Sequence, residues 1–304
     1  MSIYVMSDIH GEKELFYRML QHIAFSDDDT LYILGDVIDR GPDGIALLQE
    51  IKDRRNIVML LGNHEHMMLQ CYCEQPSGFD CLRWRRNGNE ATVKAFRRLD
   101  LNAQRSILQY LRELPTHIEV YVDGIPYYLV HGFPADCADD EVWERPEIYA
   151  HNPKPGYRVV IGHTPVLNLV VPREERQAYI RLLQKQQDHP RILFARGFID
   201  VDCGCSYSDP TKTLGCLRLD DLSEYFFLSK YHLCREFKNI FGISPNQYVI
   251  TKRITMAKRL LRFSDMTLEE ISEKCGFYDP SYLNKQFKSS EGLTASEFRR
   301  KWTN

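Results

Sequence analysis

The sequence predicts an α/β fold over residues 1–227 followed by a small all-α module over residues 228–304. Through the first 165 residues, apolar β-rich runs alternate with amphipathic segments, and each run ends in Asp, His or Asn. After Leu228 the texture changes to a series of capped helix starts. The charge divides at the same place. Residues 228–304 hold fourteen Lys and Arg against eight Asp and Glu, a balance of +6, which leaves −9 for residues 1–227 of a chain with net charge −3. A basic tail on an acidic body points to nucleic acid as a partner of the tail.

The length of 304 residues suffices for two cores. No run approaches the roughly 20 apolar residues of a membrane span, and MSIYVMSDIHG leads into a strand rather than a basic-then-apolar leader, so a cytoplasmic protein without a membrane partner is expected. The nine cysteines include the CxC pairs Cys71/Cys73 and Cys203/Cys205, with no second pair at zinc-ribbon spacing, and are expected to be reduced thiols.

Five β-like runs deliver polar residues to their carboxyl ends. SIYVMSDIHG gives Asp8 and His10, TLYILGDVIDRG gives Asp36, Asp39 and Arg40, and NIVMLLGNHEH gives Asn63, His64 and Glu65. IPYYLVHG gives His131 and YRVVIGHT gives His163. Helical segments, EKELFYRMLQHI and GIALLQEIKDR, separate the first of them. Loops past the carboxyl ends of strands are where α/β sheets build their sites. A single Asp or His there is ordinarily a turn former, but five in succession supply mixed oxygen and nitrogen donors suited to Mn, Fe or Zn.

SDIHG, GDVIDRG, GNHE, HG and GHT resemble, in order and spacing, the motifs of the phosphoprotein phosphatase family of calcineurin-like metallophosphatases. The resemblance covers Met1 to about Phe227 and implies a β-sandwich flanked by helices around two divalent metal ions, Mn foremost. It implies that Asp8 and His10 hold one metal, Asn63, His131 and His163 the other, and Asp36 bridges them. His64, paired with Asp39, would protonate the leaving oxygen, and Arg40 would clamp the phosphate. EVWER resembles the family's second arginine loop and nominates Arg145. The physical logic agrees: a phosphoester dianion needs hydroxide at neutral pH and positive charge around its equatorial oxygens. Glu65 and the segment RWRRNGNEAT resemble protein phosphatases, so a phosphorylated protein is the first substrate expectation. A small phosphoester, in particular a dinucleoside tetraphosphate, is the alternative. The charged stretch VPREERQAYIRLLQKQQDHPRILFARG reads as a surface hairpin or helix.

In the tail, Ser244-Pro245, Thr267-Glu270, Asp279-Pro280 and Thr294 mark four helix starts, and Ile250, Ile254, Ala257 and Leu261 form one stripe. A helix-turn-helix is predicted between Thr267 and Glu291, turning at Cys275-Gly276-Phe277, with Ser281, Tyr282, Lys285, Gln286 and Lys288 outward. From LSKYHLCREF to FRRKW the tail resembles the AraC-type DNA-binding domain. That implies two recognition helices in successive major grooves, the first carrying Lys230, Tyr231, His232 and Arg235. An intact pair would fit a transcription regulator whose phosphatase body senses a ligand. The leaving-group acid and its partners, His64, Asp39 and Arg40, favour an enzyme.

The two resemblances compete for residues 218–228. The AraC-like pattern wants a helix over RLDDLSEYFF, yet its N-cap would be Arg218, which offers no short acceptor. TLGCLRL, the Asp220-Asp221 turn and the aromatic run after it instead predict a β-hairpin. On that reading the phosphatase is complete and the first helix-turn-helix unit is truncated.

Overall fold

The computed structural model describes residues 1–148, 150–169, 191–207, 212–222, 224–228, 243–264, 266–277 and 279–302. Two compact units divide between His232 and Leu233.

The first unit holds two five-stranded sheets. In the first sheet β1 (Ile3–Met6), β2 (Thr30–Ile33) and β3 (Ile57–Met59) run parallel, with α1 (Lys13–His22) and α2 (Gly44–Lys52) as crossovers. The second sheet is ordered β4 (His117–Val122), β5 (Ile125–Val130), β6 (Arg158–Ile161), β8 (Ile199–Asp200) and β7 (Leu193–Phe194), and β5, β6 and β8 are parallel. Between the sheets in sequence lie α3 (Asn63–Cys71), α4 (Gly78–Arg86), α5 (Glu90–Phe96) and α6 (Leu101–Glu113), and α7 (Ala138–Glu141) follows β5.

Period-2 alternation sorts the side chains into layers. Val5, Tyr127, Leu129, Val160 and Leu217 meet between the sheets. Tyr4, Met6, Leu31 and Ile33 face the helices with Phe16, Leu48 and Met67. Tyr128, Val130, Val159 and Ile161 line the outer face of the second sheet. The fold is thus the predicted β-sandwich flanked by helices, and its parallel strands all end toward one edge.

Residues 213–228 form a hairpin. β9 (Thr213–Arg218) pairs antiparallel with β1 and with β10 (Glu224–Leu228), in the register Leu217↔Glu224 to Thr213↔Leu228. Its turn is fastened to the body: the Ile3 amide donates to Asp220 Oδ1 at 2.8 Å, the Leu219 amide donates to Ile3 O, and Arg218 Nε donates to Asp220 Oδ2 at 2.9 Å. These bonds decide against the helix over 218–227. Asp220 Oδ1 and the Leu219 amide each acquire a partner in β1, Ile3, so these polar groups are satisfied.

The second unit contains α8 (Pro245–Phe263), α9 (Leu268–Lys274), α10 (Pro280–Glu291) and α11 (Ala295–Trp302). Its core joins Ile250, Ile254, Ala257 and Leu261 to Ile271, Phe277, Leu283 and Phe287. The predicted starts are observed. Ser244 Oγ accepts from the Gln247 amide, Thr267 and Glu270 form a reciprocal capping box, Asp279 Oδ1 accepts from the Tyr282 amide, and Thr294 and Glu297 exchange bonds. No described helix is long and apolar enough to cross a membrane.

Candidate metal centre and its surroundings

The strand ends converge. β1 leads to Asp8 and His10, β2 to Asp36, Asp39 and Arg40, β3 to Asn63 and His64 in the first turn of α3, β5 to His131 and β6 to His163. The loops fold tightly enough to force unusual backbone: Asp8, His10, Asp36, Asp39, Arg40 and His163 all have positive φ, between 48° and 69°. Left-handed conformations are costly for non-glycine residues and concentrate where a site over-determines them. Two glycines permit the close approach. A Cβ on Gly62 would stand 2.3 Å from Asp36 Oδ1, and one on Gly162 would stand 2.0 Å from Ser7 Oγ.

Asp36 lies at the centre of the cluster. Its Oδ2 is 3.7 Å from His10 Nε2 and 3.8 Å from His64 Nε2, and its Oδ1 is 3.4 Å from His131 Nε2. Two groups of donors that could hold a metal share it: His10, Asp36 and His64, and Asp36, His131 and His163. Asp8 Oδ1 is 3.8 Å from His10 Nε2, and Asn63 Oδ1 lies 3.0 Å from His131 Nε2 and 2.9 Å from His163 Nδ1. The second nitrogens are anchored in part. His10 Nδ1 bonds Ile38 O and His131 Nδ1 bonds Leu34 O, which leaves the Nε2 atoms facing inward.

The donor set fits divalent cations. His10 Nε2 and His163 Nε2 are buried without a hydrogen-bond partner, an arrangement that is unfavourable unless something accepts their lone pairs. Burial holds the imidazoles of His10, His131 and His163 below their ordinary pKa, hence neutral and able to ligate. Burial, followed by Asp8 and Glu65, pushes Asp36 well up, the mark of crowded carboxylates awaiting positive charge.

His64 belongs to a second set of bonds. Its Nδ1 lies 2.7 Å from Asp39 Oδ2, and its Nε2 lies 3.1 Å from Arg40 Nη2. A carboxylate can only accept, so Nδ1 carries the proton and Nε2 accepts from Arg40. Burial, then Arg40 and His131, lowers the His64 pKa well below the usual range, and burial raises Asp39 to about 6. Arg40 Nη1 donates to Ser206 Oγ at 2.7 Å. Arg145 is exposed, donates to Thr164 Oγ1 at 3.1 Å, and lies near enough to His131 and His163 to depress their pKa values.

Every expected member of the centre is therefore brought together. Several supporting residues were given no part in the centre by the sequence. Ser7 Oγ donates to Asp8 Oδ2, Trp84 Nε1 donates to Asp39 Oδ2 at 2.6 Å, and Thr92 Oγ1 accepts the Asp39 amide. A sixth strand end, β8, adds Asp200 and Asp202, both fully buried and both pushed up by burial, then by one another or by Asp8. Glu65 is turned inward and takes the amides of Asp36, Val37 and Ile38. In the tail, Ser281, Tyr282, Lys285 and Lys288 are exposed on α10 and Gln286 is half-buried. Lys230, Tyr231, His232 and Arg235 lie outside the described residues, as does most of the charged stretch after Val171.

Fold and site together define a metallophosphoesterase with an appended helix-turn-helix domain. Residues 1–195 match the family model for calcineurin-like phosphoesterases, and the chain belongs to that family. Residues 222–301 match the model for a helix-turn-helix domain of AraC type, so that match begins inside the hairpin. The bis(5′-nucleosyl)-tetraphosphatase, symmetrical, of Wigglesworthia glossinidia brevipalpis is 45% identical over 76 residues, 24% of this chain and 28% of that protein. The enzyme of the same name from Acidovorax sp. (strain JS42) is 40% identical over 87 residues, 27% of this chain and 31% of that protein. The regulatory protein PocR of Salmonella typhimurium is 33% identical over 84 residues, 28% of each. The chain thus spans less than a third of the length of these curated relatives.

Proposed function

We propose that residues 1–227 are a cytoplasmic, divalent-metal phosphoesterase acting on dinucleoside tetraphosphates, and that residues 228–304 are a DNA-binding appendage. The observation that carries the enzymatic reading is the pair of donor groups sharing Asp36. His64 is already bonded to Asp39 and Arg40, so Asp8 would join His10 and Asp36 in holding one cation, while Asp36, Asn63, His131 and His163 would hold the other, with Mn as the first candidate. Such a pair supplies, when bound, an acidified water and positive charge at the phosphoryl group.

The chain's own residues account for the rest. Arg40 leaves His64 Nε2 for an equatorial phosphoryl oxygen, where its planar donors match the developing charge. Arg145 approaches from the opposite loop. Once Arg40 has turned away, His64 Nε2 takes up a proton from solvent, giving an imidazolium that Asp39 stabilises through Nδ1, and passes that proton to the departing oxygen. Asp39 is itself fixed by Trp84 and Thr92.

Two observations favour the tetraphosphate over a phosphorylated protein. The relatives similar to the body carry the tetraphosphatase name. The features that suggested protein phosphatases are engaged internally: Glu65 holds the loop after β2, Trp84 holds Asp39, and Gly88 O accepts the Arg40 amide. Glu65 and Trp84 are buried. The test is kcat/KM of the Mn-loaded protein on diadenosine tetraphosphate and on a phosphoserine peptide, side by side. A preference of at least about 10-fold for the dinucleotide, a difference of ~1.4 kcal/mol in transition-state binding, supports the reading; the reverse preference restores the protein substrate.

A further inference from the structure

A groove of about 770 Å³ is lined in part by Trp84, whose indole N–H bonds Asp39. It shares Trp84 with the site but none of the clustered Asp, Asn and His donors. Its walls have two characters. One is neutral and largely apolar, formed by Tyr72, Val93 and Cys71, whose thiol is pushed up to about 12 by burial and by the Cys81 thiol against it. The other is basic, with Arg85, Lys94 and Arg97, faced by one carboxylate, Glu90.

The basic wall is out of keeping with the acidic body. Residues 83–98 contain six Arg and Lys and a single acidic residue. Arg83 is occupied by Asp80, Gln70 and the Trp143 ring, and Arg97 lies beside the Tyr72 hydroxyl. Arg85 and Lys94 are exposed and have no carboxylate within ion-pair distance among the described residues. Cations gathered around a concavity raise the local concentration of anions and give charge-assisted bonds to phosphate oxygens. The volume falls within the ~300–1,000 Å³ of small-molecule sites and would be left mostly empty by a bare phosphate.

We propose that this groove binds a nucleoside phosphate, with its phosphates against Arg85, Lys94 and Arg97 and its base on the Tyr72–Val93 wall. The inference rests on the groove alone and holds whatever the Asp36 cluster hydrolyses. Because the Trp84 indole forms part of the lining and its N–H holds Asp39, occupancy also reaches the residue that orients His64.

The experiment is calorimetric titration of the full-length, chelator-treated protein, in which no bound metal recruits phosphate to the cluster. The probes are ADP, adenosine and inorganic pyrophosphate. ADP should saturate one site, with adenosine and pyrophosphate each weaker by about 10-fold or more. Arg85→Gln with Lys94→Gln should weaken ADP by about 10-fold or more, as the removal of two charge-assisted bonds requires. Mn-dependent hydrolysis of an aryl phosphate should be unchanged in that variant, which also verifies its fold; Lys94→Glu alone serves if the double variant is unstable. Absence of ADP binding to the stripped protein, equal binding by wild type and folded variant, or pyrophosphate binding as tightly as ADP would each overturn the proposal.

Discussion

His64 Nδ1 stands 2.7 Å from Asp39 Oδ2, and both side chains are fully enclosed. A neutral imidazole held this way presents one nitrogen, Nε2, to whatever lies beyond Arg40, and its tautomer is fixed by the carboxylate. Replacing His64 with Asn should reduce kcat by roughly 10² to 10⁴, the usual contribution of a positioned acid. Metal content measured by elemental analysis should be nearly unchanged, since Asp8, His10, Asp36, Asn63, His131 and His163 remain. The loss should be small for aryl esters and large for alkyl esters, whose leaving oxygens need the proton more; equal losses would remove His64 from the acid's role.

Trp84→Phe isolates the bond behind that pair. The ring would keep its packing against Tyr72, while Asp39 Oδ2 would lose the donor now at 2.6 Å. A hydrogen bond to a charged group contributes ~1.5–3 kcal/mol, which sets the upper limit. About a tenfold fall in kcat, with KM and the near-native circular dichroism spectrum retained, is expected. An unchanged kcat would mean that Asp39 is positioned without Trp84.

How much of this was legible in the sequence follows from the range of each bond. Asp8, His10, Asp36, Asn63, His131 and His163 were readable as candidates because they sit at the carboxyl ends of five apolar runs, a local pattern. The hairpin was readable from the Asp220-Asp221 turn and the missing N-cap at Arg218. Trp84, Ser206 and Asp202 were not, because their significance lies in partners far along the chain: Trp84 lies 45 residues from Asp39, and Ser206 lies 166 from Arg40. The inward turn of Glu65 to three backbone amides was not legible either, since the sequence shows only that it stands beside His64.

Glu141 gives the fold a defined acid sensitivity. It is buried and accepts from the Tyr128 and Thr116 hydroxyls and from His117 Nδ1, tying β4 and β5 to the loop that carries Arg145. Burial alone would raise its pKa, but the bonds from Tyr128, His117 and Thr116 prevail and hold it below the ordinary 4.5. Its stabilisation is therefore complete above about pH 4.5 and is lost as pH falls through the lower folded value. Glu141→Gln should cost ~2–3 kcal/mol at neutral pH, with a gap from wild type in denaturant midpoint that closes as the pH is lowered toward 3. A gap independent of pH would show that the carboxylate charge is not what stabilises this corner.

In the tail, α10 presents Lys285 and Lys288 on its exposed face, with Leu283 and Phe287 buried behind them. If that face meets DNA, binding should weaken steeply between about 50 and 200 mM salt. Replacing both lysines with Ala should reduce the slope of log affinity against log salt by about 0.9 for each phosphate that is no longer neutralised. Filter binding against a random duplex and a selected pool measures both quantities. Enrichment of one sequence spanning two adjacent major grooves would require a second recognition helix in addition to α10.

The donors around Asp36 are proposed to hold two divalent cations on which hydrolysis depends. The direct measurement is a Mn²⁺ titration of chelator-stripped protein, with bound metal and diadenosine tetraphosphate hydrolysis followed in the same samples. Hydrolysis should be absent at the start and rise as the chain takes up two equivalents, while Asp36→Asn, which removes the carboxylate shared by both donor groups, should neither retain the pair nor recover activity. Full hydrolysis by metal-free protein, or an Asp36→Asn variant that binds two cations and turns over normally, would contradict the account.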